Sequence, residues 1–539
     1  MRDDDQPSRP DQPLRVAVRA YARHRQPPRP RTRWAWTRRP GAARFLLVLD
    51  TETTTDPSQR LVFGVYRLGE VRDDPRTGEE RLTVFEEGFV YGDDLPARDP
   101  AGFAILETYV GAHRAETAPG ESTALRFLSR TAFVNEVLYP AAFEGQAIVV
   151  GFNLPFDLSR LAVEASPARH RGRWWPMGGG WSFVLWRGPD GRPHRYRPRL
   201  VIKHGDKTRA QIAFTSADYQ PTPKRRTRRP LYRGRFLDLK TLTFALTDRS
   251  HSLASACVAF GVATAKHSVD QHGVITPDYL EYGRQDVRAT QGLYLATRQE
   301  YQRHALDAMP WDIKSPASIA KGYLRTMGIS NPMDRVIGLT PDQLGAAAAA
   351  YFGGQAEVRI RHTVVPVVAT DVTSMYPTGN VLAQLQTYLT AAVLRSEACT
   401  AEAQRVLDQI TLERVLDPVT WPTLRFFAEI LPDDDHLPVR AAFGGEGGSY
   451  TLSVNPYTSD QTAWYAGFDL ARSILATGRV PQIRRAFRMA AEGQLALDGA
   501  PVSLTRPCQR PYQLPLGALG SAAAGFRGGL GRGCRRGGL

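Results

Sequence analysis

Two acidic residues at the end of an apolar run are the first candidates for chemistry in this sequence. Asp50 and Glu52 follow residues 45–49, which are all apolar. An uninterrupted apolar run of this kind predicts a central strand that is buried on both faces. Because residues i and i+2 of a strand point the same way, both carboxylates project together from its end. Such a pair suits Mg²⁺, which prefers oxygen ligands. The alternative is a strand end followed by a solvated acidic turn.

A third carboxylate follows a second apolar run. Residues 148–152 predict another buried strand, which continues through a turn into a helix that begins near Pro155. Proline is well suited to the first turn of a helix. Asp157 falls in this turn, where unpaired N–H groups and the helix dipole favour a carboxylate. Asp157 is therefore either a further cation ligand or only a cap of the helix.

A tyrosine and a fourth acid share one face of a later helix. Thr276 and Pro277 are a good N-cap and a good first residue, and the helix they open carries Tyr282 and Asp286. Positions i and i+4 lie one above the other on a helix. The two side chains can therefore address the same point in space.

The acids stand at strand ends or on helices, in a chain order that suits a single cleft. We call them the four acids: Asp50, Glu52, Asp157 and Asp286. Such a quartet can bind two divalent ions, Mg²⁺ or Mn²⁺, which about 4 Å apart would clamp a phosphate and activate a water for in-line attack. Tyr282 would then orient that water or help to deprotonate it.

The motifs, taken in order, resemble the three exonuclease motifs of family B DNA polymerases. They are Asp50-x-Glu52, Asn153-x-x-Phe156-Asp157 and Tyr282-x-x-x-Asp286. The resemblance implies an α/β fold, an RNase H-like mixed sheet flanked by helices, with 3′→5′ exonuclease activity on DNA. It also implies that the four acids bind two metal ions, that Tyr282 positions the water, and that Asn153 and Phe156 contact the 3′ end.

Two downstream stretches resemble the polymerase half of the same family. Tyr351-x-Gly353-Gly354 is similar to the linker between the two modules, and Asp371-x-x-Ser-Met-Tyr376-Pro is similar to polymerase motif A. By this resemblance Asp371 binds a catalytic metal, and Tyr376 stacks under the incoming sugar. Tyr351, Gly353 and Gly354 are then expected to contact the substrate.

The sequence departs from that family after motif A. The family's Tyr-x-Asp-Thr-Asp hairpin, which supplies a second metal-binding acid, is missing, and so is its Lys-x-x-x-Asn-Ser-x-Tyr-Gly helix. The acidic run at 433–435 follows a proline and is too close to Asp371 to leave room for the fingers. We therefore expect an incomplete palm-like α+β region without polymerase activity.

Composition and patterning predict the following organisation. The segments are a disordered basic arm at 1–42, the exonuclease domain at 43–310, a basic β-rich insertion within it at 170–235, the partial palm at 311–503 and a Gly/Arg-rich tail at 504–539. Further strands are expected at 61–68, 82–91 and 364–369, and a helix at 122–138. The insertion carries Trp174, Trp175, Trp181 and the basic run 224–229. It would bind a single strand by stacking and phosphate contacts, or else be a pair of solvated hairpins.

The overall charge indicates a polyanionic partner. The net charge of +15 and pI of about 9.8 favour DNA, as single-stranded 3′ ends or primer-template. The four cysteines are far apart and indicate neither a zinc site nor disulfides. No run approaches the ~18 apolar residues of a membrane span, so we expect a cytoplasmic protein without a membrane partner. The alternatives are a catalytically inactive DNA-binding polymerase remnant and an exonuclease that acts on RNA.

Overall fold

The structure is a computed structural model of the 539-residue chain. It describes residues 44–73, 80–117, 122–168, 179–188, 191, 197–215, 232–262, 272–353, 360, 362–370, 375–443 and 449–495. These residues form two compact units, one ending at Thr326 and the other beginning at Met327. Some sequence predictions lie outside the described residues: the arm at 1–42, the tail at 504–539, Trp174, Trp175, the basic run 224–229, Gly354 and Asp371.

The described part of the first unit contains strands and helices that we number in chain order. The strands are β1 (Phe45–Thr53), β2 (Leu61–Asp73), β3 (Glu80–Tyr91), β4 (Arg114–Glu116), β5 (Ser122–Ala124), β6 (Arg126–Ser129), β7 (Ile148–Gly151), β8 (Glu164–Pro167), β9 (Trp181–Val184), β10 (Arg199–His204), β11 (Ala210–Thr215) and β12 (Arg235–Asp238). The helices are α1 (Leu95–Arg98), α2 (Pro100–Ala112), α3 (Arg130–Phe133), α4 (Leu154–Arg160), α5 (Leu239–Thr247), α6 (Leu253–Ala259), α7 (Pro277–Gln302) and α8 (Pro316–Thr326). Wider helical turns follow α3 at Val134–Leu138 and Pro140–Glu144, and a 3-10 turn spans Pro310–Asp312.

A six-stranded mixed sheet is the centre of this unit. Its strand order is β12-β7-β1-β2-β3-β6. The strands β1, β2 and β3 form an antiparallel meander, whereas β7 runs parallel to β1 and β12 runs parallel to β7. The first strand therefore lies inside the sheet, between an antiparallel and a parallel neighbour.

Strand β1 is buried on both faces, as its sequence predicts. Leu46 and Val48 pack into one hydrophobic cluster, which also contains residues of α7. Leu47 and Leu49 point the other way, into a second cluster that contains residues of α4. Each fully buried leucine contributes roughly 1.5–3 kcal/mol relative to an exposed one. The strand is thus a fixed support for the acids at its end.

Helix α7 crosses one face of the sheet. Its N-cap is Thr276, whose hydroxyl accepts a hydrogen bond from the Tyr279 N–H at 3.2 Å, and Pro277 is its first residue, as predicted. Gly283 permits close packing, because a Cβ there would stand 2.9 Å from the Phe63 ring. The next residue, Arg284, is buried and donates to Glu87 Oε1 at 2.8 Å. These contacts fix both the position and the rotation of the helix.

The helix predicted at 122–138 begins later than expected. Arg126–Ser129 is a strand that pairs in parallel with β3, and the helix starts only at Arg130, where the Ser129 hydroxyl accepts from the Ala132 N–H. Gly88 of β3 allows this pairing, because a Cβ there would stand 2.7 Å from the Arg126 carbonyl oxygen. Pairing at the sheet edge has thus overridden a helical spacing of apolar residues.

The basic insertion contributes a separate four-stranded sheet of order β11-β10-β9-β8. Residues 182–186, 199–203 and 211–214 alternate in sequence as strands do, and the structure has β9, β10 and β11 there with shifted ends. Strand β8 lies outside these three segments. Trp181 at the start of β9 is half exposed. The described part of the insertion is therefore a set of paired strands with an aromatic residue at its surface.

The second unit is also built of strands and helices. In its described residues the strands are β13 (Val336–Ile337), β14 (Val393–Ala398), β15 (Phe426–Ile430), β16 (Asp435–Phe443), β17 (Ser449–Tyr457), β18 (Ala463–Ala466) and β19 (Ile483–Glu492). The helices are α9 (Pro341–Ala349), α10 (Met375–Leu382), α11 (Gln386–Thr390), α12 (Thr400–Leu407), α13 (Leu412–Leu416) and α14 (Gly467–Thr477), with 3-10 turns at Pro332–Arg335 and Trp421–Leu424.

A five-stranded sheet of order β13-β14-β19-β15-β18 organises this unit, and β16 and β17 form a separate hairpin. Leu407 of α12 and Leu470 of α14 pack against Ala428 and Ile430 of β15 in its core. The strand expected at 364–369 is wrong, because residues 362–370 are exposed and pair with no strand among the described residues. Pro366 also lacks the N–H that a strand ladder needs.

The prediction of a mixed α/β fold is confirmed in the first unit, where a sheet of parallel and antiparallel strands is flanked by helices. Within the described ranges, no helix has the length and apolar character needed to span a bilayer.

Candidate active site

The end of β1 presents Asp50 and Glu52, both half-buried, on the same side of the strand. Thr51 lies between them, is buried, and points to the opposite side. The Glu52 carboxylate accepts a hydrogen bond from the Tyr279 hydroxyl, with Oε2 at 2.6 Å. One of the two strand-end acids is therefore held in a fixed orientation by α7.

Asp157 is brought to the same strand end by α4. Its Oδ1 atom accepts hydrogen bonds from the Thr51 backbone N–H at 3.2 Å and from the Thr51 hydroxyl at 2.9 Å. Its Oδ2 atom is buried and has no hydrogen-bond partner within the described structure. The hydrogen bonds of the Asp157 side chain thus go to β1 and not to N–H groups of α4, so the interpretation of Asp157 as only a helix cap does not match its contacts.

Asn153 and Phe156 shape the turn that carries Asp157. Asn153 has a φ of 76°, a left-handed conformation that asparagine tolerates better than most residues. Phe156 lies under the guanidinium group of Arg160, at 4.7 Å from the ring centroid. Both residues therefore lie beside Asp157 at the start of α4.

Asp238, which the sequence analysis did not select, fixes this turn. It is 5% exposed, and its Oδ1 atom accepts from the backbone N–H groups of Asn153 at 2.9 Å and Leu154 at 3.1 Å. Its Oδ2 atom accepts from the Thr241 N–H and hydroxyl, which caps α5. A detectable signal existed, since Asp238 ends a short apolar strand just as Asp50 does.

Helix α7 supplies the remaining members of the site. The Tyr282 hydroxyl donates to the Asp286 carboxylate one turn further along the helix. Tyr279, which was not predicted, is fully buried and reaches Glu52 instead. The sequence signal for Tyr279 was its position three residues before Tyr282, on the same helix face.

The electrostatics show which acids influence one another. Burial raises the pKa of Tyr282, and the negative charges of Asp286, Glu52 and Asp50 raise it further. Burial likewise raises the pKa of Asp157 well above its usual range, although hydrogen bonds from Thr51 oppose this rise. The charges of Asp238 and Glu52 add to it. Glu52 thus links Asp157 to the acids that surround Tyr282.

A cavity of about 470 Å³ opens at this place. Asp50 and Asp286 line one part of it, which brings together acids from β1 and α7. The other lining residues are Phe152, Lys240, Ser250, His251, Ser252 and Leu253. A small polar ligand in this cavity would therefore meet carboxylates, a cation and hydroxyl groups.

The donor atoms of the site are of the type that a hard divalent cation prefers. All four acids offer oxygen, and the buried Oδ2 atom of Asp157 lacks a partner that a cation would supply. As the described side chains stand, no three His, Cys, Asp or Glu residues are grouped closely enough to hold a metal. The carboxylates lie near the end of β1, but their present positions do not form a complete metal-coordination site.

The other predicted site residues that the structure describes belong to the second unit. Tyr351 is exposed, and its carbonyl oxygen accepts from Arg440. Gly353 has a φ of 79°, a left-handed conformation that glycine adopts without strain. Tyr376 is 71% exposed on α10.

Comparisons of the chain with known protein families, with characterised proteins and with solved structures return no match. The functional argument consequently starts from the mixed α/β fold and from the acids at the end of β1.

Proposed function

We propose that this chain is a metal-dependent 3′→5′ exonuclease of DNA, built on an RNase H-like unit and joined to an incomplete family B polymerase palm. One observation carries the proposal. Carboxylates from β1, α4 and α7 gather around the end of the central strand, although they are far apart in the sequence. The mixed sheet with helices on its faces is compatible with that fold.

The four acids would hold the cations, which we take to be two ions of Mg²⁺ or Mn²⁺. Bound there, divalent ions would polarise the phosphate and lower the pKa of an attacking water. The oxygen-only donor set and the partnerless Oδ2 atom of Asp157 support this assignment.

The surrounding residues have orienting roles in this proposal. Thr51 holds Asp157 through two hydrogen bonds, and Tyr279 holds Glu52 through one. Tyr282, whose hydroxyl donates to Asp286, would orient the attacking water or help to deprotonate it. Hydrolysis would break the bond between phosphorus and the 3′ oxygen and release a nucleoside 5′-monophosphate.

The segments that resemble a family B polymerase support descent from a DNA polymerase, but they do not support an activity in DNA synthesis. Asp435, the last residue of the acidic run at 433–435, is buried and accepts a hydrogen bond from the Asp433 backbone N–H. This contact is structural, and it favours leaving the run out of any metal site.

We expect no primer extension. Because a second metal-binding acid is missing from the sequence, a 5′-labelled primer on a template should not lengthen when the protein, Mg²⁺ and all four deoxynucleoside triphosphates are present. Products longer than the primer would contradict the proposed loss of the polymerase function.

The exonuclease proposal is tested with a single-stranded oligonucleotide in the presence of Mg²⁺. A 3′-terminal label should be released at once as a mononucleotide, whereas a 5′ label should give a descending ladder. A chelator should stop both reactions. If neither label shows metal-dependent shortening, the proposal is wrong.

A second candidate, a catalytically inactive DNA-binding remnant, is favoured by the net charge of +15. Binding that weakens steeply with salt, without cleavage, would select it. A third candidate, an exonuclease of RNA, would be selected if RNA competed better than DNA of the same sequence. All three fit a cytoplasmic protein.

A further inference from the structure

Lys240 lines the same cavity as Asp50 and Asp286. The wall therefore combines two carboxylates and an ammonium group with the ring of Phe152. The proposed function assigns the carboxylates to cations. It leaves the lysine without a role.

The backbone at Lys240 is fixed by its neighbours. Asp238 caps α5 through the Thr241 N–H at 3.1 Å and the Thr241 hydroxyl at 2.6 Å, and Leu239 is fully buried. Lys240 lies between these anchored residues in the first turn of α5. The base of its side chain therefore has a defined position beside the cavity.

The ammonium group of Lys240 is uncommitted. It makes no hydrogen bond and no ion pair with any residue that the structure describes, although many of the described arginine side chains in the same unit are paired with acids. The side chain is half-buried rather than fully solvated. A half-buried cation that lines a cavity and lacks a partner is suited to an anionic ligand.

Charge balance indicates which anion would fit. Two divalent cations would neutralise the four acids, and a phosphodiester adds one further negative charge. The ammonium group of Lys240 would supply the positive charge that balances this phosphodiester. Because Lys240 lines the same cavity as Asp50 and Asp286, one phosphate there could contact both the cations and the ammonium group.

We propose that Lys240 binds a phosphate oxygen of the terminal nucleotide, so that the cavity is the subsite for a nucleoside 5′-phosphate. This inference rests on the proposed function for the class of ligand. Because the nucleoside monophosphate can bind without turnover, the phosphate site and the exonuclease activity can be tested separately.

The test measures binding of thymidine 5′-monophosphate and of thymidine to the full chain by calorimetry, with Mg²⁺ present. The wild type should bind the monophosphate more tightly. Lys240→Met keeps the aliphatic stem and should weaken binding of the monophosphate by about tenfold or more, as expected for a charged hydrogen bond. Binding of thymidine should not change.

Two further variants control the experiment. Lys240→Arg keeps the charge and should keep most of the preference for the phosphate, and Lys321→Met removes an exposed lysine of α8 and should bind like the wild type. Thermal unfolding of each variant verifies that it is folded.

The outcomes separate the inference from the exonuclease. If Lys240→Met binds the monophosphate as the wild type does, or if the wild type does not prefer the monophosphate, the inference is overturned even when the oligonucleotide is degraded. If the preference is present and depends on Lys240 but no oligonucleotide is shortened, the phosphate site stands and the exonuclease proposal falls.

Discussion

Replacing Asp50 and Glu52 together by alanine is expected to slow the metal-dependent release of 3′ nucleotides by at least about a thousandfold. Both carboxylates leave the end of β1, so the cations would lose two ligands at once. Single-turnover degradation of a 3′-labelled strand at saturating Mg²⁺ measures the change. The variant should remain folded, because the substitutions remove two like charges from a crowded site.

The control for this variant is Asp278→Ala. Asp278 is an exposed acid in the first turn of α7 and does not line the cavity. Its removal should leave the rate within a factor of about two, since an exposed charge acts weakly over distance. If the double variant released 3′ nucleotides less than tenfold more slowly than the wild type, this would count heavily against a role of Asp50 and Glu52 in catalysis.

The second large effect is on stability. Glu87→Ala is expected to lower the free energy of unfolding of the first unit by about 3–5 kcal/mol, because it removes the buried carboxylate that neutralises two buried guanidinium groups. Glu87 is 1% exposed, accepts from Arg284 Nε at 2.8 Å and lies 3.4 Å from Arg67 Nε. Urea denaturation followed by circular dichroism measures this change.

Glu136→Ala is the matched control for this substitution. Glu136 pairs with Arg126 at 2.7 Å, but both side chains are largely accessible to water, with exposed fractions of 49% and 36%. Exposed ion pairs contribute up to about 1 kcal/mol. Equal destabilisation by the two substitutions would show that the buried ion pairs do not anchor α7.

Much of the fold around the site could be predicted because local signals agreed with long-range packing. An all-apolar run predicted that β1 is buried on both faces, and Thr276 with Pro277 predicted where α7 begins. The position of Asp157 in the first turn of α4 was predicted in the same way. Each of these signals lies within a few residues of the element it defines.

Two residues of the site have only weak sequence signals, because the partners that give them a role are distant in the chain. Tyr279 reaches Glu52 across 227 positions, and Asp238 reaches Leu154 across 84. Their types are ordinary for a buried helix face and for a helix cap. Only the packing of α7 and β12 against the sheet gives them these partners.

The errors have a related origin. Residues 126–129 have apolar spacing that suits a helix, yet an available edge of β3 makes them a strand. Residues 364–369 have the composition of a strand, yet no edge among the described residues is paired with them. Strand formation depends on a neighbour, and a single segment does not reveal whether one exists.

The burial of Asp157 and Asp238 has a practical consequence for handling the protein. Burial raises the pKa of each above its value in an unfolded chain, so each weakens the fold at neutral pH. This penalty is complete above the folded-state pKa and disappears as the pH falls through it towards the unfolded value. As far as these two carboxyl groups are concerned, mildly acidic storage should therefore preserve a purified sample better than alkaline storage, and the divalent cations of the proposed function would offset the same penalty.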